Sequence, residues 1–157
     1  MKSPDVAAEH RWLHQLLGQW SWTSEEVPGH GHTHHHVGTE EGRPVGDIWV
    51  ELEGTGDYGV TRMILGFDPA RGRFWGTWVG GMMNHMWIYD GALQEDGKTL
   101  VLEATGPAFD GNGTALYRDV VQVIGPDERT LQGHIQGADG SWTHFMTTRY
   151  RRVGAAV

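Results

Sequence analysis

The sequence predicts an all-β fold: a ten-stranded antiparallel up-and-down barrel with a short N-terminal helix. Three observations carry that expectation. Glycine supplies 24 of the 157 residues, a load that opposes a helical bundle, because each interior Gly costs a helix about 1 kcal/mol relative to Ala. After Gly18 the apolar residues recur with a period of two, the period of a strand. The links between those runs are short and built from turn-forming residues, which leaves no length for crossover helices.

The helix comes first. Ser3 fits the N-cap and Pro4 the first helical position, where its missing N–H costs nothing. Trp12, Leu13, Leu16 and Leu17 make an apolar stripe that needs something larger to pack on. Gly18 stands where a left-handed C-cap residue belongs. Strands follow near 19–27, 33–43, 47–56, 60–67, 73–80, 84–94, 99–106, 114–124, 129–137 and 141–152. The punctuation between them is specific: Asp68-Pro69-Ala70-Arg71-Gly72, Glu95-Asp96-Gly97-Lys98, Pro126-Asp127-Glu128 and Ala138-Asp139-Gly140. A meander of this length protects its edges best by closing on itself. Ten strands enclose enough volume to leave a cavity unless large side chains fill it. The whole chain, 1–157, reads as one domain.

Composition narrows the function classes. Eight Trp, four Tyr and four Phe exclude a disordered tail. Twelve Lys and Arg against twenty Asp and Glu give a net charge of −8, which disfavours nucleic acid and anionic membranes as partners. The absence of Cys removes disulfides, thiolate nucleophiles and Cys-based zinc sites. The N-terminal segment lacks an apolar run of signal-peptide length, and no stretch approaches the roughly 20 apolar residues that span a bilayer. A cytoplasmic location is the expectation.

Alternation assigns faces. In 141–152, Trp142, His144, Met146, Thr148 and Tyr150 share one face; in 84–94, His85, Trp87 and Tyr89 share one. The bulkier sets are expected to point inward, which places His85 and His144 inside the barrel. A shift of one residue in register would send each of them outward.

Gly18-Gln19-Trp20, after a helix and opening the first strand, resembles the calycin superfamily, the lipocalin and fatty-acid-binding-protein barrels. That resemblance implies a Trp closing one barrel end with an Arg of the last strand across it, a part open to Arg149, Arg151 or Arg152. More specific runs are Gly66-Phe67-Asp68-Pro69-Ala70-Arg71, Phe74-Trp75-Gly76-Thr77-Trp78, Met82 to Gly91, Glu103-Ala104-Thr105-Gly106-Pro107 and Phe145 to Arg152. Together, from about His10 to Arg152, they resemble the bacterial domain-of-unknown-function family 1579. The resemblance supports a calycin-like barrel and implies no reaction. The run His30-Gly31-His32-Thr33-His34-His35-His36 departs from the Gly/Pro-rich stretch usual in that family.

Three groups of residues can carry function. The first is an aromatic and methionine lining: Trp20, Trp22, Trp75, Trp87, Trp142, Met63, Met83 and Met146, suited to a small apolar molecule. The competing reading is a barrel that these residues simply fill. The second is His85 and His144, which from inside the barrel could ligate haem or a metal, or act as acid and base beside Tyr89, Glu53 or Tyr117. The nitrobindin type of calycin-like barrel, which holds haem through one His, gives that reading its analogy. A buried His satisfied by a carbonyl is the ordinary alternative. The third is the His tract, where His32, His34 and His36 would share a strand face about 7 Å apart, able to converge on a divalent transition metal. A solvated polar loop with incidental affinity is the plainer reading.

The carboxylates offer less. Glu51 and Glu53 share a face and are expected to pair with Arg62 at the surface. Asp110-Gly111-Asn112-Gly113 lacks the spacing of a calcium loop and reads as a turn. Trp75 and Trp78 add apolar surface that a homodimer would cover. Binding of a small apolar ligand leads, a haem- or metal-dependent protein or enzyme follows, and metal handling by His30 to His36 is third.

Overall fold

The computed structural model describes residues 1–26 and 35–154. A helix, α1 (Ala8–Leu13), runs into one 3-10 turn (His14–Leu16) and then into ten strands. These are β1 (Gly18–Glu26), β2 (His35–Val45), β3 (Trp49–Gly56), β4 (Gly59–Asp68), β5 (Arg73–Gly80), β6 (Trp87–Leu93), β7 (Thr99–Pro107), β8 (Thr114–Gly125), β9 (Glu128–Gln136) and β10 (Trp142–Gly154). Each strand pairs antiparallel with its sequence neighbours and β1 pairs with β10, so the sheet closes as an up-and-down barrel. The ten expected strands are therefore present. The widest departure is at β6, which starts at Trp87 rather than near 84. Residues 81–86 turn instead, with the Gly81 N–H on the Val60 carbonyl at 2.9 Å and the Met83 N–H on that of Gly80 at 3.3 Å.

The helix starts later than Ser3 and Pro4 suggest. Ala7 is the N-cap, and its N–H donates to His10 Nδ1 at 2.9 Å. That bond leaves the proton on His10 Nε2, which donates to the Phe67 carbonyl at 3.0 Å. His10 is buried, so it ties the helix to β4 and fixes where the helix can begin. Leu13 and Leu16 are fully buried beneath it, each contributing about 1.5–3 kcal/mol. Trp12 Nε1 donates to the Gly97 carbonyl at 2.8 Å. The helix thus seals the barrel end that carries the β4–β5 and β6–β7 turns.

Gly18 takes φ +107°, a conformation that L side chains rarely adopt, and swings the chain from this seal into β1. Two residues on, Trp20 is buried with its Nε1–H on the Leu16 carbonyl at 3.1 Å. The guanidinium of Arg152 lies over its ring at 4.2 Å from the centroid. Of the three arginines the calycin resemblance left open, Arg152 takes the part. It also donates to three backbone carbonyls: Leu17 at 2.5 Å, Gln15 at 3.1 Å and Pro126 at 3.0 Å. Those bonds join β10, the β8–β9 turn and the helical segment.

The last strand contains the feature that the alternation missed. His144 pairs with His134 but Met146 pairs with Gly133, so Phe145 is an extra residue, a β-bulge. A Cβ on Gly133 would meet Phe145 Cζ at 2.8 Å and Met146 Cε at 3.3 Å. The missing side chain is what lets two consecutive residues turn inward. Below the bulge, Met146, Thr148 and Tyr150 face the interior as expected; above it, Trp142 and His144 are sent outward.

Arg152→Met should lower unfolding stability by roughly 2–4 kcal/mol, since it removes charge-assisted bonds to buried-end carbonyls and a cation–π contact. Arg149→Met, at an exposed position of the same strand, should change it by less than about 0.5 kcal/mol. Urea unfolding followed by Trp fluorescence makes the comparison.

Candidate functional site

The interior holds a cavity of about 490 Å³. It rises from the seal, where Leu16, Leu52 and Leu65 form a floor, to a mouth bordered by Met83, Pro107 and Phe109. Trp22, Met63, Trp78, Trp87 and Met146 supply most of the apolar wall. Near the mouth the rings interlock edge to face. Trp87 meets Tyr117 at 4.8 Å between centroids, and Phe109 meets Phe145 at 5.0 Å. Offset and edge contacts of this kind add to the energy of burial alone.

The three Trp that line the barrel, Trp22, Trp78 and Trp87, do not fill it, because their indoles lie against glycines. A Cβ on Gly38 would stand 2.3 Å from Trp22 Cζ2, and one on Gly56 2.6 Å from the same atom. These glycines flank Trp22 on the neighbouring strands β2 and β3, which are paired at that level. The indole is pressed flat onto the sheet instead of across the lumen. Its Nε1 donates to the Thr39 carbonyl at 3.0 Å.

Three charged side chains line the cavity: Glu40, Arg129 and Asp119. Glu40 and Arg129 form an ion pair near the floor, both buried. The Arg129 guanidinium is stacked between Trp20, 4.4 Å away, and Tyr150, 3.9 Å away. Its Nη1 is buried and has no hydrogen-bond partner among the described residues, an orphan donor near the floor. Asp119 sits higher, accepting a hydrogen bond from the Tyr89 hydroxyl through Oδ2.

Burial from bulk water pushes the Asp119 carboxyl up to about 6, against the opposing effect of the Tyr89 hydrogen bond. Part of Asp119 nevertheless remains open to the cavity. Burial, and then the charge of Asp119, push the Tyr89 phenol well above its ordinary range. Tyr89 therefore stays a donor. Tyr150 is held high for the same first reason, with Glu40 adding to it.

Of the residues expected to bind, the structure brings Trp22, Met63, Met83, Trp87, Tyr89, Tyr117 and Met146 together on the cavity. Six others lie elsewhere, Trp75 among them. Trp20 is packed under the floor between two guanidinium groups. Glu53 is on the outer surface, paired with Arg62 and with Arg43 at 3.2 Å, as the surface reading of Glu51 and Glu53 predicts. His85 lies in the 81–86 turn, with Nε2 3.0 Å from the Thr105 carbonyl and its ring against Trp87. Trp142 is outside the barrel beneath Arg118, 4.1 Å from its ring centroid. His144 is outside as well, with Nε2 2.9 Å from the Met146 carbonyl and its ring 5.0 Å from that of His134. The bulge at Phe145 explains the last two, and the turn that runs on to residue 86 explains His85. Trp75 and Trp78 also separate. Trp78 lines the cavity, and Trp75 stacks outside on Trp49 at 6.0 Å.

Among the described residues, no histidine lines the cavity and no three His, Asp or Glu side chains converge as metal ligands. The donor set expected for haem or a metal, His85 and His144, is therefore split and turned away from the lumen. His32 and His34 lie outside the described residues. His36, on β2, has Nδ1 3.0 Å from Asp57 and meets Tyr58 edge on at 5.1 Å. Asp110 accepts the Asn112 N–H at 2.9 Å, the turn expected there.

Asp119 is a site residue that the sequence reading lacks, although alternation marks it. Tyr117, Asp119 and Val121 share one face of β8, and Tyr117 was expected inside. Phe145 carries no such signal, because a bulge breaks the period.

Because the folded-state value of Asp119 lies above its unfolded value, its protonated form favours the fold and its ionised form opposes it. Stability from this group is full below about pH 4 and is lost as pH rises through about 6. Two pH units correspond to about 3 kcal/mol. Asp119→Asn keeps an acceptor for Tyr89 and removes the titration. The variant should match the wild type in urea unfolding near pH 4 and exceed it by up to about 3 kcal/mol at pH 8.

Solved structures of similar shape exist. The S-type phycobiliprotein lyase CPES from Guillardia theta superposes with a TM-score of 0.58 at 16% identity, over 95% of this chain and 94% of that one. A redesigned β-barrel, mFAP1, bound to DFHBI, gives a TM-score of 0.44 at 15% identity, over 90% of this chain and 99% of that one. The likeness to the lyase bears on the fold alone. No curated protein matches the chain. No helix among the described residues is long and apolar enough to cross a membrane. Residues 5–152, nearly the whole barrel with its seal, match the family described as a protein of unknown function, DUF1579, and the chain belongs to that family.

Proposed function

We propose that the protein binds a small, mostly apolar molecule inside its barrel. The observation that carries this reading is the cavity of about 490 Å³ with its apolar wall and aromatic mouth. Ligand sites are concave, of roughly 300–1,000 Å³, and mostly apolar with a few polar groups that fix orientation. Here the charged groups are few: the Glu40–Arg129 pair, and Asp119 held by the Tyr89 hydroxyl. Open volume in a core costs stability, about 24 cal/mol per Å³ where truncation creates it. A chain with eight Trp has the bulk to close this space, yet the three that line it, Trp22, Trp78 and Trp87, lie flat on glycines. Adaptable side chains, Met63, Met83 and Met146, stand where the ligand would touch the wall.

Nile red, a neutral dye whose emission rises in apolar surroundings, should bind saturably at one site per chain. Met63→Trp fills the lumen and should weaken that binding by about tenfold or more. Trp142→Ala and His144→Ala, both on the outer surface, should leave it unchanged. Unsaturable binding, or equal binding by Met63→Trp, would overturn the reading.

A further inference from the structure

The charges on the cavity wall do not cancel. Arg129 is the cation among the lining residues, and it is already engaged by Glu40, with both side chains buried. Asp119 has no cation opposite it; its Oδ2 accepts from the Tyr89 hydroxyl, and no described residue donates to Oδ1. The neighbours that face Asp119 bring no compensating charge. Tyr89 on β6 and Tyr150 on β10 are phenols held in the protonated form. On the flanking strands Asp119 is paired with Leu102 and Gly133. Trp87, Tyr89, Tyr117 and Tyr150 line the same cavity, and the faces of such rings attract a cation through their π systems.

We infer that the cavity selects a ligand with an apolar body and a single protonated amine, the ammonium group paired with Asp119. This rests on the interior-binding reading and names its ligand class. Three physical points support it. An isolated buried carboxylate is unfavourable until something compensates it, and an ammonium at Oδ1 is that compensation. The desolvation of Asp119 is borne by the fold before the ligand arrives, so binding gains the attraction without repeating that cost. A carboxylate ligand would meet Asp119 and Glu40 with one already neutralised Arg129 between them, and like charges at close range suppress binding. Charge thus discriminates where an apolar wall alone would accept an amine, a neutral molecule or a carboxylate of the same shape.

The test is calorimetric titration of the wild type with three probes of matched shape: naphthylmethylamine, naphthylmethanol and naphthoate. At pH 7.5 the amine should bind about tenfold or more tighter than the alcohol, and the carboxylate more weakly than either. Affinity for the amine should fall as pH drops below about 6, where Asp119 takes up its proton, while that for the alcohol stays level. Asp119→Asn should bring amine and alcohol to within about twofold of each other without weakening the alcohol. Alcohol binding as tight as amine, or carboxylate binding tightest, would overturn the amine selection and leave interior binding standing. If none of the three probes binds, the interior-binding reading itself fails. The pH series uses the unaltered protein, so the inference remains testable should the variant fold poorly.

Discussion

The floor of the barrel depends on one stack: the indole of Trp20 held between the guanidinium groups of Arg152 and Arg129. The two cations do different work. Arg152 lies at the sealed end and fastens β10 to the helical segment and to the β8–β9 turn through backbone carbonyls. Arg129 faces inward, pairs with Glu40 and presents the upper side of the stack to the cavity. A planar, delocalised cation suits such a position, because it can stack on a ring and donate in its own plane at once. Trp20 also caps Leu16 through its Nε1–H. Closure of the sheet, the seat of the helix and the polarity of the floor are therefore set by the same group of side chains.

Above that floor, what matters is how large side chains are kept out of the lumen. A closed ten-stranded sheet has room inside, and aromatic residues are the usual way to fill it. In this barrel a ring and a glycine tend to occupy neighbouring strands. A Cβ on Gly106 would stand 2.2 Å from the Trp87 ring, the same relation that Gly38 and Gly56 bear to Trp22. The high glycine content and the high tryptophan content are thus two halves of one device. Each indole that lines the cavity lies along the wall, contributes burial and leaves the axis open.

Most of the fold was legible because it follows from period and punctuation. The strands, their order and the turn at Asp110 are consequences of alternation and local turn chemistry. The candidate site was legible wherever alternation stayed unbroken, as in Trp87 and Tyr89 or in Met146. It failed where a tertiary contact overrode the local rule. The bulge at Phe145 depends on Gly133 in another strand, and nothing near Phe145 reports it. The helix start depends on His10 reaching Phe67, 57 residues away, and a Ser-Pro signal cannot register that. His85 was lost to a turn whose bonds come from Val60 and Gly80. Asp119 is a different case: its position was readable from Tyr117, but its chemistry was not, since that arises from having a phenol and no cation beside it among the described residues.

The contrast between the two cavity carboxylates gives the site its character. Glu40 and Asp119 are both withdrawn from bulk water, yet Glu40 has a guanidinium and Asp119 has a phenol. A phenol can donate one hydrogen bond but brings no charge, so it fixes the carboxylate's orientation without neutralising it. A core evolving for stability alone would gain by replacing Asp119 with an apolar residue or by supplying a second arginine. Retaining an oriented, uncompensated carboxylate against an apolar wall opposes folding and favours a ligand that completes the pair. The apolar wall sets the size and softness of what can enter, and Asp119 sets its sign.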